Sequence, residues 1–143
     1  MLNHAELKIV ASTWAELAAE ASLIREAVFI QEQHIAPEDE WDAEDKLCTH
    51  FVAYLHDQPV ATARLLTSNS IGRVAVLKSA RGFKIGQQLM QAVIDYACAE
   101  GRQFIKLSSQ VHAIGFYQVL GFQLQGDEYL DCGIPHIDMY LQL

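Results

Sequence analysis

The period of the hydrophobic pattern changes several times along the chain, and each change predicts a new strand or helix. Residues 85–100 carry two adjacent rows of apolar side chains, each with a spacing of four positions. This spacing is typical of a helix with one buried face. Gly101 follows directly, and a glycine at this position commonly ends a helix. The pattern therefore predicts a helix over 85–100.

The other segments show either alternation or shorter apolar runs. A second helix is predicted from Thr13 to about Gln33, and a short one over 113–120 is ended by Gly121. Strands are predicted over 6–11, 49–56, 59–66, 71–77 and 104–108, with two more around Asp127 and residues 133–135. The order β, α, three β, α, β, α, β, β predicts a mixed sheet flanked by helices, within one domain over residues 1–143.

Composition narrows the function classes. Ten Lys and Arg against eighteen Asp and Glu give a net charge of -8, which argues against nucleic acid as the main partner. No apolar stretch approaches the ~20 residues that span a membrane, and no leader pattern begins the chain, so we expect a cytoplasmic protein without a membrane partner. Cys48, Cys98 and Cys132 are widely spaced, so we predict neither a metal site nor disulfides, but buried free thiols.

One strongly acidic segment lies over residues 37–46 and contains six carboxylates around Trp41. Such a run is most often a solvated loop, and we predict that state here. The segment could alternatively attract a cationic acceptor molecule.

The segment with the clearest candidate chemistry joins a strand to the helix over 85–100. The strand end Val74, Ala75 and Val76 is followed by a turn that contains Arg81, Gly82 and Phe83, and then by Lys84, Ile85 and Gly86. Such a turn directs backbone N–H groups and the positive end of the helix dipole at one point, where an anion such as a pyrophosphate can bind. The two glycines would let the backbone approach that anion closely.

Two motifs of the chain resemble the GNAT (Gcn5-related N-acetyltransferase) superfamily. The run Arg81-Gly82-Phe83-Lys84-Ile85-Gly86 is similar to its acyl-CoA loop, and Gly115-Phe116-Tyr117-Gln118-Val119-Leu120-Gly121-Phe122 is similar to its Phe-Tyr-x-x-x-Gly-Phe motif. Residues 24–33 and 131–136 look like signatures of the ElaA-like bacterial subgroup. The resemblance implies an α/β GNAT (acyl-CoA N-acyltransferase) fold with a mixed, mostly antiparallel sheet.

The resemblance also implies the cofactor-binding residues. Acetyl-CoA would bind as cosubstrate at Arg81, Gly82, Phe83, Lys84, Ile85 and Gly86, with its pantetheine arm along the backbone of Val74, Ala75 and Val76. Lys84 stands where the family usually has Gly. We expect its side chain either to crowd the pyrophosphate or, from the first helical turn, to pair with it.

The resemblance implies that Tyr117 assists the leaving thiolate as a hydrogen-bond or proton donor; packing of its ring is the alternative. Candidates for the general base are Glu26, Glu32, His112 and His136. Each has a purely structural alternative, and of the four we select Glu32 and His136. Arg25 and Gln33 could instead order the loop beyond the first helix.

The chain is thus expected to be an N-acetyltransferase that moves an acetyl group directly to a primary amine of a small molecule or peptide. Two other functions remain open, a catalytically silent acyl-CoA sensor or interaction module and an acyl-homoserine-lactone synthase. Turnover with any amine would exclude the silent module, and the negative net charge argues against the synthase. The apolar final residues 139–143 make a homodimer plausible, which light scattering would decide.

Overall fold

The computed structural model of the protein describes residues 6–143. Seven strands run in chain order as β1 Leu7–Ser12, β2 Thr49–Leu55, β3 Gln58–Leu65, β4 Ser70–Val76, β5 Phe104–Gln110, β6 Gln123–Asp131 and β7 Ile134–Gln142. Four α-helices are α1 Trp14–Arg25, α2 Pro37–Glu40, α3 Ile85–Ala99 and α4 Ile114–Val119. A π-helical segment, Glu26–Glu32, continues α1, and 3₁₀ turns occupy Ala43–Leu47, Lys78–Ala80 and Val111–Ala113.

All seven strands form one sheet in the order β1-β2-β3-β4-β5-β7-β6. Every adjacent pair is antiparallel except β4 and β5. This parallel pairing is limited to Ser70 with Lys106 and Ile71 with Leu107. Both strands continue beyond that point without further pairing in the described residues, so a gap opens between them. The sheet confirms the predicted mixed, mostly antiparallel architecture.

Helices cover the two faces of the sheet unequally. On one face, α3 and α4 bury the larger core, in which Leu89, Met90 and Val93 are fully excluded from water. On the other face, α1 packs on the central strands through a smaller cluster that includes Leu17, Ala21 and Ile24. No helix is long and apolar enough to span a membrane within residues 6–143.

The first helix changes its hydrogen-bond register near its end. We predicted one helix to about Gln33, but the α-helix ends at Arg25 and a π-helical segment continues to Glu32. There the backbone N–H of Gln33 donates to the carbonyl of Val28, five residues earlier, at 3.0 Å. Such a bulge rotates the side chains that follow it and often lies at functional sites.

The prediction of a solvated loop over 37–46 was wrong for two of its carboxylates, although most of the segment is exposed. Glu40 and Asp45 are buried at 2% and 3% exposure, and both bind the guanidinium of Arg25, at 2.6 and 2.8 Å. Trp14 and Trp41 lie over that guanidinium, with ring centroids 5.5 and 4.9 Å away. Arg25 therefore orders this segment, as one alternative proposed. A lone buried charge would be far too costly, which is why the carboxylates and the arginine are buried together.

One further prediction needs correction. Cys48 is buried, but Cys98 and Cys132 are exposed, because Cys98 lies at the edge of the apolar face of α3 and Cys132 lies in the β6–β7 turn. The homodimer stays a prediction, and the final strand lies inside the sheet. β7 lies between β5 and β6, and its Met139 is fully buried in the monomer.

Candidate active site

The gap between β4 and β5 begins at a strained residue. Arg73, two positions after the last β4–β5 pair, has φ +51°, a value that non-glycine residues rarely adopt in a strand. Its guanidinium donates to the carbonyl of Glu40 at 2.9 Å and contacts the Glu40 carboxylate at 3.1 Å. The ordered acidic segment thus holds β4 where it turns away from β5. Strain of this kind is concentrated at functional sites.

The predicted anion-binding turn follows β4 and leads into α3. Gly82 has φ +86°, and a Cβ added to it would have no heavy atom within 4 Å. Gly82 is therefore required for its backbone conformation and leaves open space in front of the helix N-terminus. α3 is 15 residues long, so its dipole adds to the anion affinity of that space.

We had expected Lys84 to lie in the first helical turn, but it lies just before that turn. It is the N-cap of α3, with φ +63° and ψ +18°, in the left-handed region. This conformation explains why related loops carry Gly at this position, because only glycine adopts it without cost.

Gly86 has a different role from the one predicted. It is buried inside α3, and an added Cβ would lie 3.2 Å from Cγ2 of Val76 and 3.3 Å from Cζ of Phe116. The missing side chain allows α3 to pack against β4 and α4. Gly86 therefore positions the loop through packing inside the protein.

Arg81 joins the loop to the first helix. Its guanidinium makes two hydrogen bonds of 2.7 Å to the Glu32 carboxylate, and its Nε donates to the carbonyl of Val76 at 3.0 Å. The hydrogen bonds from Arg81 lower the pKa of Glu32, although slight burial opposes this effect. A carboxylate with a lowered pKa is a poor proton acceptor. The geometry favours a role for Glu32 in holding the loop, while Glu26 is exposed on the same segment.

Tyr117 lies on the α3 and α4 face of the sheet, in the larger core. Its ring contacts Phe116 and Phe122 edge to face, with centroids 4.9 and 5.9 Å away. Burial raises the pKa of Tyr117 well above its ordinary value, so the phenol stays protonated at neutral pH. Its hydroxyl forms no hydrogen bond with the described part of the chain, so its proton is available to a bound molecule.

His136 lies on the opposite face of the sheet. It is paired across the strands with Gln110 of β5 and Tyr129 of β6. Its Nδ1 lies 2.7 Å from the carbonyl of Ile134. An Nδ1–H donor to that carbonyl leaves Nε2 as an acceptor, a state that suits a general base. The ring stacks on Tyr129 with centroids 6.1 Å apart.

A polar surface that the sequence did not reveal surrounds His136. The side-chain amides of Gln33 and Gln110 exchange hydrogen bonds, of which the shorter is 2.9 Å, and His112 lies 2.6 Å from Gln110. Gln33 therefore binds β5, whereas we had considered it for the loop. The sequence analysis missed Gln110, because the predicted strand ended at residue 108 whereas β5 continues to Gln110.

Further along the same strands, three oxygen-bearing side chains are linked by hydrogen bonds across β5, β6 and β7. The Ser108 hydroxyl hydrogen-bonds the Tyr129 hydroxyl, which donates to the Asp138 carboxylate at 2.7 Å. Among residues 6–143, no group of three or more metal-ligating side chains comes together.

Comparison with known proteins identifies the family of the chain. A sequence model of the acetyltransferase (GNAT) domain matches residues 15–143. The chain belongs to the GNAT acetyltransferase family.

Other proteins with this GNAT domain resemble the chain over nearly its full length. A Bacillus subtilis protein named uncharacterized N-acetyltransferase YjcF is 33% identical over 93% of this chain and 98% of its own. The crystal structure of Escherichia coli ElaA has a TM-score of 0.84 and 31% identity, covering 94% of this chain and 98% of that one. An acyl-CoA N-acyltransferase from Pseudomonas aeruginosa has a TM-score of 0.82 with the same identity and coverage. These matches confirm the GNAT fold and the resemblance to ElaA.

Proposed function

We propose that this protein is an acetyl-CoA-dependent N-acetyltransferase that transfers the acetyl group directly to a primary amine within a ternary complex. The observation that carries the proposal is the gap between β4 and β5. A protonated, unpartnered phenol lies on one face of the sheet and a polar surface lies on the other. A thioester in such a gap can be attacked from one face while its sulfur departs toward the other.

The loop supports the binding of acetyl-CoA, which supplies an activated acetyl thioester when bound. Open space in front of Gly82 and the N-terminus of α3 suit the negative charge of the pyrophosphate. Val74, Ala75 and Val76 make no ladder pairs with β5 in the described chain, so the β5 side of this stretch is open to an extended pantetheine arm, although the Val76 carbonyl already accepts a hydrogen bond from Arg81. Arg81 is paired with Glu32, and we infer that it keeps the loop in shape.

In this proposal the two proton transfers take place on opposite faces of the sheet. The attacking amine forms an N–C bond to the acetyl carbon and passes its proton to Nε2 of His136, directly or through water. As the C–S bond breaks, the Tyr117 hydroxyl donates to the thiolate, and solvent then returns its proton. No cysteine lies in either motif, which favours direct transfer over an acetyl-enzyme.

Replacement of Tyr117 by Phe tests the proposal. Turnover of acetyl-CoA with a panel of primary amines is measured as free thiol release. Loss of a general acid lowers kcat and kcat/KM together by roughly 10² to 10⁴, while acetyl-CoA affinity measured by calorimetry stays nearly unchanged. Tyr96→Phe is the matched control, because Tyr96 packs against the same core, and we expect it to keep full turnover.

Two results would contradict the proposal. Acetyl-CoA binding by the wild type without turnover of any amine would indicate a silent binding module. Wild-type kcat in a folded Tyr117→Phe variant would remove Tyr117 from the mechanism and leave it a packing role.

A further inference from the structure

A polar pocket of about 340 Å³ lies beside the point where β4 and β5 separate. It includes Ser70 and Lys106, which form one of the two β4–β5 pairs. Its polar lining comes from five strands and consists of Arg64, Ser70, Lys106, Ser108, Gln125 and Asp138. Leu107 and Met139 belong to the α3 core, so their neighbours Ser108 and Asp138 point to the opposite face. The pocket is therefore on the side from which an acceptor amine would approach the gap.

One charged group of the pocket is a cation without a partner. The Lys106 side chain is exposed, and its ammonium makes neither an ion pair nor a hydrogen bond within residues 6–143. The acidic segment, which we had considered as an attractor for a cation, has its central carboxylates bound by arginines. Asp42 and Asp45, for example, both accept hydrogen bonds from Arg64, each at 2.8 Å. Within residues 6–143, the carboxylates of the acidic segment that stay outside these ion pairs are Glu38 and Asp39, at its exposed start.

Arg64 also keeps one donor unused. Its side chain is 6% exposed, and its Nε–H has no hydrogen-bond partner in the described chain. Nε lies against Gly72, where an added Cβ would be 3.8 Å away. Buried donors are nearly always satisfied, so an unpaired N–H in the wall of a polar pocket indicates a missing acceptor atom.

The opposite part of the pocket carries the complementary charge. Asp138 has no ion-pair partner among residues 6–143, and only one of its oxygens accepts the hydrogen bond from Tyr129. Lys106 and Asp138 are diagonal neighbours on one face of the β5–β7 pair. Such positions lie about 7 to 8 Å apart, within reach of a long side chain. Within residues 6–143 the pocket thus presents a cation and an anion, on neighbouring strands, that both lack an ion-pair partner.

We propose that this pocket binds the acceptor, and that the acceptor is an amine that also carries a carboxylate, as amino acids do. This inference rests on the proposed N-acetyltransferase function. Lys106 and the free N–H of Arg64 bind the carboxylate, and Asp138, held by Tyr129, binds the amino group. The sheet thereby orients the amine toward the gap.

The test compares amines in pairs that differ only in the carboxylate. L-phenylalanine is paired with phenethylamine and L-lysine with cadaverine, and kcat/KM with acetyl-CoA is read from thiol release. The wild type is expected to prefer each amino acid by about tenfold or more, as a charge-assisted contact provides. In Lys106→Met, which keeps length and apolar bulk, this preference falls by about tenfold.

Two further variants make the test specific. Lys8→Met is the matched control, because Lys8 is an exposed lysine of β1 at the far edge of the sheet, and it should leave the preference unchanged. Lys106→Arg should retain the preference, since the charge is kept. Thermal melts establish that each variant is folded.

The outcomes separate this inference from the proposed function. Turnover of both members of each pair at equal efficiency would overturn the inference and leave the N-acetyltransferase proposal standing. An equal loss for both members in Lys106→Met would also overturn the inference, because it would show that Lys106 does not recognise the carboxylate. Absence of turnover with all four amines would overturn both.

Discussion

The left-handed conformation of Lys84 allows a sharp test of the loop. Lys84→Gly removes the side chain and the strain, whereas Lys84→Ala removes the ammonium but keeps a Cβ at the same φ of +63°. Comparison of the two variants therefore separates backbone strain from charge.

The expected stability change follows from the backbone angle. A non-glycine residue in the left-handed region costs roughly 1 to 2 kcal/mol of stability. Glycine avoids this cost, but it raises the entropy of the unfolded chain and so lowers stability by about 0.4 to 1 kcal/mol. Lys84→Gly should thus raise the free energy of unfolding by about 0.5 to 1 kcal/mol. For a domain of this size the melting temperature rises by about 2 to 5 °C. Lys84→Ala should leave it nearly unchanged, because the strain persists.

Calorimetric titration of CoA into the same two variants tests the charge. If the ammonium pairs with a phosphate, both variants lose about fivefold in affinity, and the loss shrinks as salt is added. If the side chain crowds the pyrophosphate, Lys84→Gly binds more tightly than wild type. Equal melting temperatures for the Gly and Ala variants would refute the left-handed conformation, and unchanged CoA affinity in both would separate Lys84 from the cofactor.

Two further predictions concern packing and pH. Gly86→Ala should lower the free energy of unfolding in urea by about 1 to 3 kcal/mol, because the new Cβ meets Val76 and Phe116 at 3.2 and 3.3 Å. Gly115→Ala is the control and should cause no such loss, because the space around Gly115 is open. Equal losses in the two variants would show that α3 does not pack as described. The hydrogen bond from Arg64 lowers the pKa of Asp42 to about 2, so this carboxylate stabilises the fold above its ordinary pKa of 3.8 and loses that effect as pH falls from about 4 toward 2. Asp42→Asn should flatten this acid limb of the stability curve, and an unchanged slope between pH 2 and 5 would exclude the coupling.

Local patterns predicted most of the framework. The two apolar rows of 85–100 match α3, Ile85–Ala99, and the two β-rich runs match β2 and β3 closely. The helix depends on one buried face, which is written into the period of the hydrophobic pattern, and the strands depend on local residue preferences. The loop before α3 was recognisable for a similar reason, because a left-handed turn at a helix start requires particular residues such as Gly82 at fixed positions.

The state of the charged side chains depended on tertiary structure. In the sequence, residues 37–46 are only a run of carboxylates, and nothing local distinguishes the buried Glu40 and Asp45 from the solvated members of the run. Their partner Arg25 lies 15 and 20 residues away in the chain. Whether a carboxylate is neutralised, solvated or free depends on which cation the fold brings to it, and the energy of that pair depends on burial.

The polar face of the sheet, where we propose that the acceptor binds, likewise depends on tertiary structure. The sequence predicted strands in these regions, but not that Ser108 and Asp138 meet Tyr129 of a third strand, or that the Lys106 ammonium has no partner within residues 6–143. Strand order and register bring these side chains together, and both are set by long-range pairing that no local period encodes. The sequence alone therefore predicted the fold class and the candidate CoA loop, whereas the side chains of the proposed acceptor face come together only when the sheet is assembled.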